Sequence, residues 1–192
     1  MQIQQKTSKN NSKAFICVFC GASPNVNQSF LDLAKELGNL FVKNQLGLIY
    51  GGGGRGLMGE MAKSVLKNQG WVEGVIPQFL IDLEKADLPL SETHIVQSMH
   101  ERKAKMFDLA DAFIILPGGI GTLEEMFEMF TAKQLQRHQK PIILFNFNGF
   151  YDLLIQFLQE KQTQGFLHGQ SLNQIEIIDS LEKVIDRINK LF

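Results

Sequence analysis

Residues 111–135, DAFIILPGGIGTLEEMFEMFTAKQL, contain an apolar run, a glycine-rich turn and an amphipathic segment in immediate succession. The run DAFIIL predicts a buried strand, and the segment after the turn predicts a helix with one apolar face. A plain strand-to-helix connection needs at most one glycine, whereas this turn contains three. The additional glycines indicate that the turn binds a ligand.

Strand-like and helical patterns alternate along the whole chain. Several of the strand-like runs are apolar almost throughout, which is typical of a parallel sheet covered by helices on both faces. This alternation predicts an α/β protein with right-handed crossovers and a Rossmann-like, doubly wound, mainly parallel sheet. Strands are predicted at residues 14–20, 46–50, 71–76, 93–97, 112–116, 141–145 and 175–178, and helices at residues 29–44, 57–68, 99–110, 122–138, 150–162 and 181–191.

The composition is that of an ordinary globular protein. The chain has 192 residues, 44% of them apolar, which suffices for one domain with a substantial core. Lys and Arg number 19 against 20 Asp and Glu, so the charge balance does not favour a general nucleic-acid binder or a protein attracted to acidic membranes. Residues 1–13 are polar, and we predict a disordered leader there and a single domain over residues 14–192.

Three further patterns bear on location and chemistry. The first residues lack the apolar stretch of a signal peptide and no run approaches the roughly 18 residues of a membrane span, so we expect a cytoplasmic protein. Cys17 and Cys20 lie in the strand-like run FICVFC, where residues i and i+3 point to opposite faces and cannot form a disulfide bond. We predict two buried thiols. The four histidines show no ligand spacing, so neither a metal nor a cofactor is predicted.

Ligands of parallel sheets bind at the carboxyl ends of the strands, where the turns from strand to helix emerge. Four distinctive turns are predicted at that edge, namely CGASPN, GGGGRGLMG, SMHERK and PGGIGTLEE. Residues 77–90 contain no convincing helix and are long enough to form a flap over the edge. The concentration of unusual sequence at these turns predicts a functional edge.

Residues 51–59, GGGGRGLMG, contain GxGxxG in two registers between a strand and a helix, as a phosphate-binding turn does. A dinucleotide site would also need an acid at the carboxyl end of the next strand. Glu73 has nearly that spacing but lies at the start of its strand, so NAD or FAD fits poorly, and the P-loop pattern GxxxxGK[ST] is absent. Close packing of the glycines is the alternative to phosphate binding.

The segment SMHERK is predicted to start a helix, with Ser98 and Glu101 forming a capping box. Arg102 and Lys103 then lie in or just beyond the first turn, where a positive charge costs a few tenths to about 1 kcal/mol against the helix dipole. A bound anion would reverse that sign, and an arginine can hold a phosphate with two hydrogen bonds. The alternative is that both side chains simply extend into water.

Thr122 and Glu125 have the T-x-x-E spacing of a capping box, so a purely structural role at the start of a helix is an alternative for both. Capping does not explain Gly118, Gly119 and Gly121, which would expose backbone amides at a helix N-terminus and create an anion-binding nest. The turn therefore predicts a phosphate cradle with a carboxylate beside it.

Two motifs together resemble the signature of a known family. PGGxGTxxE at residues 117–125 and MHxRKxxM at residues 99–106 are similar to the motifs of the Lonely Guy (LOG) family, the cytokinin riboside 5′-monophosphate phosphoribohydrolases, many of which were formerly labelled lysine decarboxylases. The likeness covers nearly all of the chain from Phe15 onward, including FCGAS, GGG-x-x-GLMG and KPIILFNFNGFYDLL. Two long motifs in order and at compatible spacing make the match specific.

The resemblance implies a Rossmann-like homodimer that cleaves the N-glycosidic bond of a nucleoside 5′-monophosphate, AMP or an N6-modified AMP, into the free base and ribose 5-phosphate. It implies that Arg102 and Glu125 form the catalytic pair. The 5′-phosphate is expected to be anchored by Arg102 and the glycine turns. From the glycine-rich turn and the resemblance together, the full set of predicted substrate contacts is Gly51, Gly52, Gly53, Glu84, Met99, Arg102, Lys103, Gly118, Gly119, Ile120, Gly121, Thr122, Leu123, Glu124 and Thr131.

One departure and two alternatives accompany the resemblance. Many plant members have TWAQLG where residues 131–136 are TAKQLQ, so the shape of the base pocket, and with it the preference for an N6-prenyl group, is in doubt. A lysine decarboxylase would need a lysine for a Schiff base with pyridoxal phosphate, and the only suitable one, Lys103, lies among the predicted phosphate ligands. The same fold could also serve a nucleotide or molybdenum-cofactor carrier that binds without reacting.

Overall fold

The computed structural model describes residues 9–81, 83, 87–167 and 169–192. Within these residues the chain forms strands β1 (Ala14–Phe19), β2 (Leu46–Tyr50), β3 (Val72–Pro77), β4 (Glu92–Val96), β5 (Ala112–Ile115), β6 (Ile142–Phe145) and β7 (Glu176–Ile178). The α-helices are α1 (Gln28–Lys43), α2 (Gly56–Lys67), α3 (Met99–Leu109), α4 (Ile120–Gln134), α5 (Asp152–Thr163) and α6 (Leu181–Asn189).

The strands lie in one sheet in the order β4-β3-β2-β1-β5-β6-β7. Strand β2 pairs in parallel with β1 and β3, β3 with β4, and β6 with both β5 and β7. Nearly every residue of β1, β2, β3, β5 and β6 is buried, as expected of strands covered on both faces. The predicted Rossmann-like α/β fold with a parallel sheet is confirmed.

The described residues fall into two compact units. The first comprises the residues up to Val18, Ala22–Asp111 and Phe192, and the second comprises Phe19–Gly21 and Ala112–Leu191. The predicted division into a leader and one domain stays a prediction. Among the described helices, none combines the length and apolar character that crossing a membrane requires.

In the first unit, α1 and α2 pack closely because Gly38 leaves room for Ser64, whose Cβ would lie 2.8 Å from a Cβ at position 38. The Ser64 hydroxyl donates to the carbonyl of Lys35 at 2.7 Å and so ties the two helices together. Strand β2 covers the predicted residues 46–50, and its five side chains are all buried. It leads directly into the GGGG turn.

The start of β3 carries a buried charge. Glu73 has no exposed surface, and its carboxylate accepts a hydrogen bond from Trp71 Nε1 at 2.9 Å and lies 2.7 Å from Lys9 Nζ and 2.9 Å from His94 Nε2. Burial raises the pKa of Glu73, but its hydrogen bonds with Lys9, His94 and Trp71 outweigh that effect and hold the pKa below its ordinary value. Glu73 lies at the amino end of its strand, as predicted, and cannot serve a dinucleotide ribose.

In the second unit, β5 and β6 pair from Phe113↔Ile142 onward. The ring of Phe113 stacks on Phe19 with centroids 5.9 Å apart, and α4 contributes Met126, Met129 and Phe130 to the core. Cys17, in the first unit, and Cys20, in the second, are both buried and are not joined in a disulfide bond, which confirms the prediction of two buried, unbridged thiols.

Two helices start two residues away from their predicted positions. Helix α4 begins at Ile120 and not at Thr122, because the backbone of Gly119 supplies the first helical carbonyl. Helix α5 begins at Asp152 and not at residue 150, because a 3-10 turn, Phe147–Gly149, precedes it with both Asn148 and Gly149 in the left-handed region. The predicted flap contains a 3-10 turn at Gln78–Leu80.

Candidate active site

The turn after β2 is rich in glycines, and different structural constraints require glycine at different positions. Gly51, Gly52 and Gly53 are all buried. Gly52 has φ +81°, a conformation that favours glycine, and a Cβ there would meet Ile76 Cβ at 3.0 Å. A Cβ at Gly59 would overlap with the carbonyl of Gly54, so that glycine is needed for close packing of the turn on α2. Packing therefore explains Gly52 and Gly59 without a ligand.

Helix α3 has the N-terminal cap that its sequence predicts. The Ser98 hydroxyl accepts from the amide of Glu101 at 3.1 Å, and the Glu101 carboxylate accepts from the amide of Gln97 at 2.8 Å. The capping box fixes the first turn of α3 and places Arg102 as its fourth residue.

Arg102 is buried, with 5% of its surface exposed. Its Nη2 donates to the carbonyl of Gly51 at 2.7 Å and its Nε to the carbonyl of Val75 at 3.2 Å. A Cβ on residue 51 would overlap with Nη2, so Gly51 makes room for the guanidinium group. Lys103 is buried too. The alternative in which both side chains extend into water is therefore wrong, because the helix directs them inward.

The start of α4 differs from a T-x-x-E capping box. Gly119 is the N-cap, its carbonyl accepts from the amide of Leu123 at 3.1 Å, and no side chain caps the helix. Thr122 is buried within the first turn, and Glu125 is half-buried in the second turn. The structural alternative for Thr122 and Glu125 is thus wrong, because the helix starts before either residue could act as a cap.

The three glycines of this turn have two kinds of surroundings. A Cβ at Gly118 would overlap with the Thr122 hydroxyl, so Gly118 permits the turn to fold tightly onto α4. Added Cβ atoms at Gly119 and Gly121 would meet no described atom within 4 Å, and Ile120 between them is 82% exposed. The first amides of a helix have no acceptor within the helix. This end of α4 therefore offers amide hydrogens beside open space, as an anion site requires.

The backbone ahead of the turn is held by the end of β1. Gly21 donates its amide to the carbonyl of Pro117 at 3.1 Å, and Leu116 donates to the carbonyl of Phe19 at 2.9 Å. Burial raises the pKa of the Cys20 thiol, and the negative charge of Glu125 raises it further. Cys20 therefore stays a neutral thiol near Glu125. The sequence motif FCGAS contains this residue, but only the fold reveals its neighbour.

The remaining predicted contacts occupy varied positions. Met99 is exposed with its sulfur 3.9 Å from Arg102 Nη1, Leu123 is half-buried, and Glu124 and Thr131 are exposed on α4. Glu84 lies outside the described residues. The structure thus gathers Gly51, Met99 and Arg102 in the first unit and residues 118–125 in the second.

A possible ion site lies elsewhere. Among the described residues, Glu73, Glu92 and His94 are close enough to share a metal ion, but Lys9 already neutralises Glu73 there. This group sits at the amino ends of β3 and β4, away from the turn that holds Arg102.

Comparison with known proteins identifies the family. A family model described as "Possible lysine decarboxylase" matches residues 58–188. The cytokinin riboside 5′-monophosphate phosphoribohydrolase LOG4 of Arabidopsis thaliana is 40% identical over 191 residues, which cover 100% of this chain and 87% of the relative. The enzyme of that activity from Rhodococcoides fascians is 40% identical over 174 residues, 90% of this chain and 88% of the relative.

The fold and the two motifs define an α/β protein of the phosphoribohydrolase class. The chain belongs to the LOG family of cytokinin riboside 5′-monophosphate phosphoribohydrolases. Among solved structures, the molybdenum cofactor binding protein of Rippkaea orientalis is similar with a TM-score of 0.71 and 26% identity, covering 93% of this chain and 97% of that one. Identity to the hydrolases is higher than identity to this cofactor-binding protein.

Proposed function

We propose that the protein hydrolyses the N-glycosidic bond of a nucleoside 5′-monophosphate, AMP or an N6-modified AMP, to the free base and ribose 5-phosphate. Family membership over essentially the whole chain supports this activity. The observation that carries the site assignment is the start of α4 at Ile120 with Gly119 as its N-cap, which leaves Glu125 without a capping role and opens the amides of the turn to a ligand. A half-buried carboxylate beside an anion site suits a reaction at a sugar phosphate.

In this proposal the amides of Gly119, Ile120 and Gly121 bind the 5′-phosphate, and Arg102 is proposed as a phosphate ligand and catalytic residue on the family resemblance. The guanidinium group is preorganised because two backbone carbonyls already fix its position, so little ordering remains to be done when substrate binds. Binding energy at the phosphate is remote from the reacting bond and can be used to orient the ribose. The further proposed contacts are Gly51, Gly52, Gly53, Glu84, Met99, Lys103, Gly118, Thr122, Leu123, Glu124 and Thr131.

Glu125 acts at the ribose. As the bond between C1′ and the base nitrogen breaks, the bonding electron pair leaves with the base and positive charge develops on the sugar. The ionised carboxylate of Glu125 stabilises that charge and accepts a proton from the water whose oxygen bonds to C1′. The proton taken up by Glu125 then passes to the leaving base, directly or through solvent, which restores the carboxylate and gives the neutral base and ribose 5-phosphate.

Product analysis tests the proposal. Purified protein is incubated with AMP and, separately, with N6-isopentenyl-AMP, and the mixture is separated by chromatography. We expect free base and ribose 5-phosphate in equal amounts. A carrier of the molybdenum-cofactor type would instead retain the nucleotide and release no base, which would contradict the hydrolase.

The base preference depends on residues 131–136. The sequence TAKQLQ lacks the tryptophan of many plant members, and Thr131 is exposed on the fourth turn of α4. Loss of one large apolar side chain from a pocket lowers its discrimination between apolar substituents by about 1–3 kcal/mol. We therefore propose that AMP is accepted alongside prenylated AMP, and the ratio of kcat/KM for the two substrates measures this.

The assembly and location follow as proposals from the family resemblance and the sequence. We expect a homodimer, which light scattering coupled to gel filtration would detect as twice the 21.7 kDa of the chain. We also expect a cytoplasmic protein, which fractionation of the source cells would test.

A further inference from the structure

The phenol of Tyr151 lies beneath the PGGIGTLEE turn. Tyr151 is 3% exposed, and its hydroxyl donates to the carbonyl of Leu116 at 2.8 Å. This hydrogen bond ties the phenol to the residue immediately before Pro117.

Hydrogen bonds from segments distant in sequence hold the backbone around Pro117. Proline has no amide to donate, and its carbonyl accepts from the amide of Gly21 at 3.1 Å. The Leu116 amide donates to the carbonyl of Phe19 at 2.9 Å, and the Leu116 carbonyl accepts from Tyr151. Removing the phenol hydroxyl would leave the buried Leu116 carbonyl without this partner.

Tyr151 is itself firmly placed. Its amide donates to the Asn146 side chain at 2.7 Å, and that side chain donates to the Asp152 carboxylate at 2.7 Å. The phenol ring meets the ring of Phe150 edge to face, with centroids 4.8 Å apart. Burial, followed by the neighbouring Cys20, raises the pKa of Tyr151, so the hydroxyl remains a hydrogen-bond donor at any working pH.

We propose that Tyr151 is a positioning residue of the reaction, whose hydroxyl holds the amides of Gly119, Ile120 and Gly121 toward the open space where a sugar phosphate binds. The identity of the ligand in this inference rests on the proposed function, whereas the hydrogen bond from Tyr151 to the turn does not depend on it. Helix α4 is anchored independently by the buried side chains of Met126, Met129 and Phe130. Glu125 therefore keeps its position when the Tyr151 hydroxyl is removed, and the variant should be weakened in phosphate binding.

The substitution Tyr151→Phe removes only the hydroxyl group. We expect KM for AMP to rise roughly tenfold to a hundredfold, on the scale of a misplaced binding group, while kcat stays within about threefold. The inhibition constant of ribose 5-phosphate should rise by the same factor. The matched control is Val184→Ala on α6, which creates a cavity at a fully buried position and should lower stability with KM unchanged.

Amide hydrogen exchange supplies a readout that needs no substrate. The amides of Gly21, Leu116 and Leu123, which donate to the carbonyls of Pro117, Phe19 and Gly119, should exchange at least about tenfold faster in Tyr151→Phe than in the wild type, and Val184→Ala should not show this local change. Unchanged exchange together with an unchanged KM would overturn the proposal. If the wild type releases no adenine from AMP, the proposed function fails, but the exchange comparison still decides whether Tyr151 holds the turn.

A second variant serves if Tyr151→Phe does not fold. Asn146→Ala removes the acceptor of the Tyr151 amide and leaves the hydroxyl in place but less well held. We expect a smaller increase in KM and in exchange at the amides of Gly21, Leu116 and Leu123. If both KM and the exchange rates stay at their wild-type values, the proposal is contradicted.

Discussion

The guanidinium group of Arg102 occupies the space that a side chain at Gly51 would need. Nη2 of Arg102 donates to the Gly51 carbonyl at 2.7 Å, and a Cβ on residue 51 would overlap with that nitrogen. The first glycine of the GGGG turn is thus explained by a side chain of α3 and not by a phosphate group. Arg102 is in position before any ligand arrives.

Substituting Gly51→Ala should displace the guanidinium group. We expect the free energy of unfolding to fall by about 1–3 kcal/mol, as for other overpacked sites, and turnover of AMP to fall at least roughly tenfold. Urea titration and product chromatography measure the two effects. Gly169→Ala is the control because a Cβ there would meet no described atom within 4 Å, and both quantities should remain near those of the wild type.

Substituting Arg102→Lys keeps the charge but loses the planar group that reaches two carbonyls. An ammonium cannot donate to Gly51 and Val75 in the geometry that the guanidinium uses, so one buried carbonyl should lose its partner at a cost of about 1–3 kcal/mol. Turnover of AMP should fall about 10²-fold or more. Arg137→Lys, at an exposed position, should change neither quantity, and wild-type turnover in Arg102→Lys would show that charge alone suffices.

Substituting Glu125→Gln tests the proposed role at the ribose. The amide cannot accept a proton or carry negative charge, so kcat should fall about 10²-fold or more while KM changes little. Folding should survive because Glu125 does not cap α4, and circular dichroism would check this. Glu160→Gln on the exposed face of α5 is the matched control. Should Glu125→Gln retain wild-type kcat, the carboxylate has no part in the chemistry.

Substituting Glu73→Gln should alter how stability depends on pH. The pKa of Glu73 in the folded protein is below its ordinary value of 4.5, so its contribution is complete above pH 4.5 and is lost as the pH falls through the folded-state value. At neutral pH the variant should lose about 1–3 kcal/mol of unfolding free energy, because hydrogen bonds to a charged group are removed. The difference between wild type and variant should shrink in urea titrations below pH 4.5. Glu92→Gln, whose carboxylate is half exposed, should cost less than about 1 kcal/mol.

The sequence was sufficient for features that depend on local pattern. Strand β2 matches residues 46–50, and Ser98 caps α3, because apolar runs and capping boxes are decided by neighbours along the chain. The start of α4 was mispredicted because a threonine is a better cap than a glycine by residue type. Here the hydroxyl of Thr122 lies against Gly118, and only the folded turn brings them together.

Contacts between distant segments could not be predicted from pattern. Arg102 reaches carbonyls that follow from the pairing of β2 with β3, and the phenol of Tyr151 reaches a residue 35 positions earlier. Both contacts involve backbone acceptors, which every residue possesses, so residue type gives no signal for them.

The ion pair between Lys9 and Glu73 matters to anyone who produces the protein. A recombinant version that begins at Ala14, the first residue of β1, would lack Lys9 and leave the buried carboxylate of Glu73 without its lysine counter-ion. Affinity tags are better joined after Phe192, which is exposed, than placed directly before β1 in exchange for residues 1–13.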